Sequence, residues 1–498
     1  MSEINKIYFF GDGYGARGGA NLFFEIITHL LENYKIEIGL IDLEDGYLRE
    51  KLINRDIDFV DETENLWNLE ANSVVFVPVE RLCLLKELQS KIIEDSIKIV
   101  TILWETEIGW HILYPNYIRD KYFKLLRDEK ALFFMDLGCH YAMEEQSKVR
   151  FQNRFFPNYL PYNNNVCADK NVVSKNVINL GWVGRLSDSK CFALLNVIRQ
   201  LKNYQTEKTI VLHIIGYGLY EEQFKNHIEA LNLSNIQIHF VGRLVDNALD
   251  EYLVKNVDIL FAMGTSMLNG ARLHLPTVGV SETLNSILNL DRFIWLYDEA
   301  GYQLGLPDTE SKVKKINNKA MPIKNILDEI YIHNNKQVVG DRCFEYYIKK
   351  HSNIAKNCDL LLKYINESTL TYGKIRKLFK ILPYIKLLTN EYYAFGIPFY
   401  RVINNETKTD YYIFGFRMLK KYDTPWYMKY YLFGIPIYTA KAFNNRTKIN
   451  FYILGCRVMK KYDTWLGCKY YLFGFIKLFE IAKTGRYSFP NIFNKALK

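Results

Sequence analysis

The sequence predicts an α/β protein built around a doubly wound parallel sheet. Four apolar runs point to it: VINLGWVG (177–184), IVLHIIG (210–216), IQIHFVG (236–242) and VDILFAM (257–263). Each leads into a glycine-marked or polar turn, and segments of helical spacing such as CFALLNVIRQL and LYEEQFKNHIEAL separate them. The runs are continuous in Val, Ile and Leu, as expected of strands covered on both faces. Strands alternating with helices through right-handed crossovers form a sheet whose ligands bind beyond the strands' carboxyl ends.

The residues at those ends suit an anionic ligand. Gly184, Arg185 and Lys190 follow the first run, and Gly216, Tyr217 and Gly218 the second. Gly242 and Arg243 follow the third, and Gly264, Thr265 and Ser266 the fourth. Glycine lets backbone N–H groups approach a phosphate, and helix N-termini add partial positive charge. Arg185 and Lys190 flank one strand–helix turn and can both face a diphosphate.

GWVGRLSDSK, LHIIGYG, IHFVGRL and MGTSMLNGARLHLPTVGV, in this order, resemble the C-terminal half of retaining glycosyltransferases of the GT-B fold. The likeness is to family 4 and its relatives in bacterial capsule and lipo-oligosaccharide assembly. It implies two Rossmann-like domains facing across a cleft, with a nucleotide-sugar donor between them. It implies hexosyl-type transfer to a hydroxyl of a surface or lipid-linked glycan, with no cofactor or catalytic metal. Arg185 and Lys190 match the family's diphosphate-binding pair, which stabilises the departing diphosphate. Gly216 and Gly218 match glycines near the nucleotide, and Gly184 and Arg243 belong with the same donor-binding set. Thr265 to Pro276, with Thr265 and Ser266 at its start, matches the loop and helix that hold ribose and phosphate.

One departure bears on activity. The family carries an E-x7-E signature whose second Glu lies seven residues before the proline of its G-x-P element. Counting back from Pro276 gives Asn269, the first Glu falls at Phe261, and His274 replaces the usual glycine. Asn269 can still hydrogen-bond a ribose hydroxyl, without charge. Two readings stay open: a diverged enzyme with the same site, or a catalytically silent GT-B scaffold that binds nucleotide or glycan.

With 498 residues, 49% hydrophobic and 24% charged, the chain is globular and long enough for two or three domains. Its 8 cysteines form no C-x-x-C pair and read as reduced thiols. No secretory signal and no run of spanning length is evident, so the expected location is cytoplasmic, peripheral on the inner membrane face. Residues 391–498 hold 18 Lys and Arg against 6 Asp and Glu, a balance of +12 that leaves −3 for residues 1–390. An anionic partner therefore answers to the tail. Nucleic acid is not expected, because no recognition motif accompanies the basic residues.

The expected domains are 1–165, an acceptor-side Rossmann-like domain, and 166–350, the nucleotide-sugar domain. Crossing and basic amphipathic helices follow at 351–390, and a repeat tail at 391–498. KIYFFG (6–11) reads as the first strand, running into a glycine-rich loop and an amphipathic helix. Gly18, Gly19 and Arg17 match the family's N-terminal GG loop; the alternative is a turn allowing close strand–helix packing. IEIGLID, SVVFVP, IKIVTIL and ALFFMD read as further strands. Glu105, Glu107 and His111 follow the 97–103 run, where a carboxylate such as Glu105 can accept a proton from an acceptor hydroxyl. Asp136 and His140 follow ALFFMD, where a lone histidine is more often structural. FFPNYLPYNNN (155–165) suits the interdomain linker. The one D-x-D, at Asp56 and Asp58, alternates like an edge strand rather than a cation site.

Beyond Pro276, PTVGVSE and RFIWLYDEAGYQLG read as the last strands and donor-side loop, with Glu282 a candidate sugar contact. YGKIRKLFKILPYIKLL, ending at 388, reads either as a basic helix in a membrane interface, broken near Pro383, or as a helix packed on the core. The tail repeats an aromatic–glycine unit with glycines at 396, 415, 434, 455 and 474. Such units read as short hairpins that must stack or dock. They serve either an anionic membrane surface or a homo-oligomer.

Overall fold

The computed structural model describes residues 4–11, 18–104, 116–162, 176–281, 283, 287, 289–306 and 319–381. Beyond these it describes the strands between 385 and 488 as backbone. The chain divides into two compact units, Met1–Thr283 with Asn289–Leu378, and Leu284–Leu288 with Phe379–Lys498.

The first unit holds two six-stranded sheets. In the first sheet the order is Asp58–Asp61, Glu37–Asp42, Lys6–Phe10, Val74–Pro78, Lys98–Leu103 and Leu132–Phe134, all parallel. Lys6–Phe10, Val74–Pro78 and Leu132–Phe134 are buried at every residue, as their unbroken apolar runs require. Phe9, Phe23, Phe76, Phe133 and Phe156 pack ring against ring between this sheet and the Gly18–Asn33 helix. Asp58 lies in the edge strand, where Lys6 binds its carboxylate.

In the second sheet the order is Ile236–Gly242, Thr209–Ile215, Val177–Val183, Ile259–Ala262, Thr277–Gly279 and Ile294–Trp295. The first five are parallel and the last is antiparallel. The strand order reverses beside Val177–Val183, which puts the topological switch point between it and Ile259–Ala262. One expectation fails here. Ile236–Gly242 was expected to be covered on both faces, but only Ile236 is fully buried. As the edge strand it has a single neighbour, so its polar Gln237 and His239 meet solvent.

The helices Lys336–His351, Ile354–Glu367 and Tyr372–Ile381 lead the chain back to the first sheet. The Ile99 amide donates to Leu370 O at 2.8 Å, and Ser368 Oγ donates to Ile99 O at 2.9 Å. The Tyr372–Ile381 helix takes the core-packed reading in place of the membrane-interface one. Tyr372 and Ile375 are buried, and Arg376 donates to Leu85 O and Glu87. Lys374 pairs with Glu129 at 2.8 Å. Lys374, Arg376 and Lys377 thus have protein partners, and Pro383 lies outside the described residues.

The second unit contains a 12-stranded antiparallel sheet in which each strand pairs with the next, from Ile385–Lys386 to Tyr487–Ser488. The register slips at Tyr392/Tyr393, Tyr411/Tyr412, Tyr430/Tyr431, Phe451/Tyr452 and Tyr470/Tyr471. Each slip falls on the aromatic pair preceding one of the five repeat glycines, 396, 415, 434, 455 and 474. A bulge at a fixed place in each unit keeps successive hairpins in the same register. Two-residue strands close both edges, leaving little backbone to template further pairing.

Candidate functional site

Three successive strand ends of the second sheet are laced by backbone bonds. The Gly184 amide donates to Ile215 O (3.1 Å), Leu186 to Tyr217 O (2.9 Å) and Gly216 to Gly242 O (2.8 Å). Two of the predicted glycines are demanded by this lacing. Gly216 has φ +152°, and a Cβ there would lie 1.9 Å from Gly184 O. A Cβ on Gly218 would lie 2.3 Å from Leu186 O. Gly242 has φ +84° with open space around it, so only its backbone angle calls for glycine.

The two predicted cations stand at one end of this lacing. Arg185 is exposed, and Lys190 lies half-buried in the first turn of the Asp188–Asn203 helix. A Cβ on Gly184 would lie 3.7 Å from Lys190 Cδ, so the lysine stem runs beside Gly184. The Arg243 guanidinium sits 5.5 Å from the centre of the exposed Tyr217 ring, joining the second and third loops. Positive charge, amides and a helix start therefore gather at adjoining strand ends.

Thr265, Ser266 and Asn269 lie half-buried on the short Thr265–Ala271 helix across the switch point. Arg272 Nη2 donates to the buried Asp250 at 2.7 Å and anchors that helix. The His274 substitution has a structural answer. Its φ of +59° is left-handed, which is why glycine suits the position. His274 holds it through Asp341, 2.6 Å from Nδ1, and by stacking on Phe344 with ring centres 3.8 Å apart.

The start of the Gly18–Asn33 helix also reaches this region. A Cβ on Gly18 would lie 3.0 Å from Thr265 Oγ1, and one on Gly19 3.0 Å from the Trp104 ring. Arg17, Glu105, Glu107, His111 and Glu282 lie outside the described residues. His140 packs against the Phe134 ring and sits 3.7 Å from Glu144, a structural placement. Asp136 caps the Leu137–Ser147 helix by accepting from the Cys139 amide at 2.7 Å, and burial raises its pKa.

Sequence reasoning missed Asn158, Glu299 and His351. Glu299 is buried, accepts from the Gly305 amide at 3.0 Å, and would lie 2.7 Å from a Cβ on Gly279. Asn158 Nδ2 donates to Thr265 Oγ1 at 2.9 Å. His351 Nδ1 lies 2.8 Å from Asn158 O, which makes it the donor there. Asparagine beside Pro157 was the one available signal, and it marked only the interdomain linker.

His351 is buried, which pushes its pKa down to about 4. A folded-state pKa below the unfolded 6.5 means stability is present above pH 6.5 and lost as pH falls through about 4. The full effect is about 3 kcal/mol. Urea melts between pH 7 and pH 4 should show this loss, and His351→Gln should flatten that part of the profile. An unchanged slope in the variant would remove His351 from the acid response.

No family model matches the chain, and no curated protein matches it. Solved structures align over about three quarters of the chain. HepE of Anabaena, in complex with UDP and glucose, aligns over 73% of this chain and 99% of its own, with 12% identity and a TM-score of 0.46. A glycosyltransferase from Rickettsia africae covers 75% and 99%, with 12% identity and a TM-score of 0.47. TarM of S. aureus covers 73% and 99%, with 10% identity and a TM-score of 0.48. At such identities and TM-scores no residue role passes from those proteins to this chain. The chain's own two parallel sheets, the 154–161 crossing and the returning C-terminal helices define an α/β fold of the GT-B class.

Proposed function

We propose that the chain transfers a sugar from a nucleotide-sugar donor to a hydroxyl of a surface or lipid-linked glycan, retaining anomeric configuration. The observation that carries this reading is the laced set of strand ends bearing Arg185, Lys190 and Arg243. The bond between the anomeric carbon and the diphosphate oxygen breaks, and a bond to the acceptor oxygen forms. Arg185, Lys190 and the start of the Asp188–Asn203 helix offset the charge developing on the leaving diphosphate. The acceptor proton passes to a base, the role proposed for Glu105. Thr265, Ser266, Asn269 and Glu282 would hold the donor's sugars. No step is assigned to a metal or cofactor.

Asn269 supports a second reading, a nucleotide- or glycan-binding scaffold without turnover, because an amide brings no charge to the donor. The test is release of nucleoside diphosphate from a panel of nucleotide sugars. The enzyme reading expects release by the wild type and weaker donor binding in Asn269→Ala. Tight binding without release, with activity gained in Asn269→Glu, would establish the scaffold.

For the tail, the reading is attachment to an anionic membrane face by residues after 381, resting on their surplus of Lys and Arg. A basic residue near such a surface contributes about 1 kcal/mol. No described helix is long and apolar enough to cross a membrane. Truncation after residue 381 should abolish flotation with anionic vesicles at low salt while transfer to a soluble acceptor persists. Equal flotation with and without the tail would end the membrane reading, and loss of a homo-oligomer would support the other one.

A further inference from the structure

The segment that crosses between the two sheets is held at nearly every carbonyl. Asn357 Nδ2 donates to Pro157 O (2.9 Å), His351 Nδ1 to Asn158 O (2.8 Å) and the Tyr347 hydroxyl to Leu160 O (2.9 Å). The donors come from the Lys336–His351 and Ile354–Glu367 helices, so the crossing is fixed in place rather than a loose hinge. Within it, Asn158 is only 5% exposed. Its Nδ2 donates to Thr265 Oγ1 at 2.9 Å, but its Oδ1 is buried without a hydrogen-bond partner. Turning the amide over exchanges donor for acceptor and still leaves one end unbonded.

Leaving a buried acceptor unbonded is unfavourable, and such groups persist in folded proteins mainly where a ligand or water completes them. The neighbourhood suits a ligand. The Thr265 hydroxyl that binds Asn158 is also the atom nearest a Cβ on Gly18, at 3.0 Å. The crossing segment, the opening of the first domain's glycine-led helix and the Thr265 helix therefore converge on one polar point. That point belongs to the strand end across the switch point from Arg185.

We infer that Asn158 is a binding residue of the donor site, accepting a hydrogen bond from a sugar hydroxyl of the nucleotide sugar beside Thr265. This rests on the proposed function, and the hydroxyl belongs either to the ribose or to the transferred sugar. An uncharged amide acceptor next to a hydroxyl matches a polyhydroxylated ligand and adds no repulsion to a diphosphate close by.

The experiment is calorimetric titration of the full chain with UDP, GDP, UDP-glucose and GDP-mannose, for wild type, Asn158→Ala and Asn158→Gln, each with a melting curve. Asn158→Ala should weaken the donor bound by wild type ~10-fold. Asn158→Gln, which keeps an uncharged amide with its acceptor oxygen, should stay within about threefold. A loss confined to the nucleotide sugar assigns the transferred sugar, and one shared with the nucleoside diphosphate assigns the ribose. Affinities within twofold of wild type in both folded variants overturn the inference. So do equal losses in both variants, which would mark an amide that only braces the crossing segment. Should Asn158→Ala fail to fold, Asn158→Gln alone decides by retaining or losing the donor. A wild type that binds none of the four ligands overturns the functional reading itself and this inference with it.

Discussion

Replacing Arg185 or Lys190 by alanine is expected to lower sugar transfer by roughly 30- to 10³-fold, or about 2–4 kcal/mol of transition-state stabilisation. One further negative charge develops on the departing diphosphate, and fixed cations offset it without reorganising as the bond breaks. Arg185 is exposed and makes no ion pair with the described residues, so its removal leaves no buried charge behind. The melting temperature of Arg185→Ala should therefore stay near that of wild type while turnover collapses. The combination separates a role in chemistry from a role in folding. Turnover within twofold of wild type in both variants would remove the pair from the mechanism.

The second large effect is on stability. Gly216→Ala is expected to destabilise the fold around the second sheet by about 2–4 kcal/mol and to weaken donor binding. The new Cβ meets Gly184 O at 1.9 Å, and the residue must hold φ +152°. Neither neighbour is free to yield, because the Gly184 amide is bonded to Ile215 O and the Gly216 amide to Gly242 O. Relief must come from pushing the 184–186 turn away, and with it Arg185. Gly242→Ala is the control. Its φ is +84°, but nothing lies within 4 Å of the added carbon, so about 1–2 kcal/mol of backbone strain is all it should show. Equal melting of Gly216→Ala and wild type would contradict the lacing of the strand ends.

The strands were legible in the sequence because their burial is local and continuous. Lys6–Phe10 and Val177–Val183 fall within a residue or so of their apolar runs. The strand-end glycines were legible as a group, since turns and close backbone approaches both favour glycine. Which of them is demanded by a neighbour was not, because Gly216 meets Gly184 only once the strands lie side by side. Edge position escaped for the same reason. IQIHFVG reads as a buried run, yet it has no strand beyond it.

Partners distant in sequence were invisible. Asn158 and Thr265 are 107 residues apart, and His351 and Asn158 are 193 apart. The basic helix at Tyr372–Ile381 shows the limit most plainly. An apolar stripe with flanking lysines fits a membrane surface and a protein surface equally, and only Glu129 and Glu87, far upstream, decide between them. His274 looked like a lost glycine in the sequence. The left-handed backbone explains the usual residue, and Asp341 with Phe344 explains how a histidine keeps the same turn.

The most direct test of the central claim is titration of nucleotide sugars into the full chain and into an Arg185→Ala, Lys190→Ala double variant, read by calorimetry. The account predicts saturable one-to-one binding of at least one nucleotide sugar by the wild type. It also predicts loss of at least tenfold in affinity in the double variant, since two charge-assisted contacts of about 1.5–3 kcal/mol each are removed. Binding of equal strength by wild type and double variant would contradict it, as would a wild type that binds no nucleotide sugar.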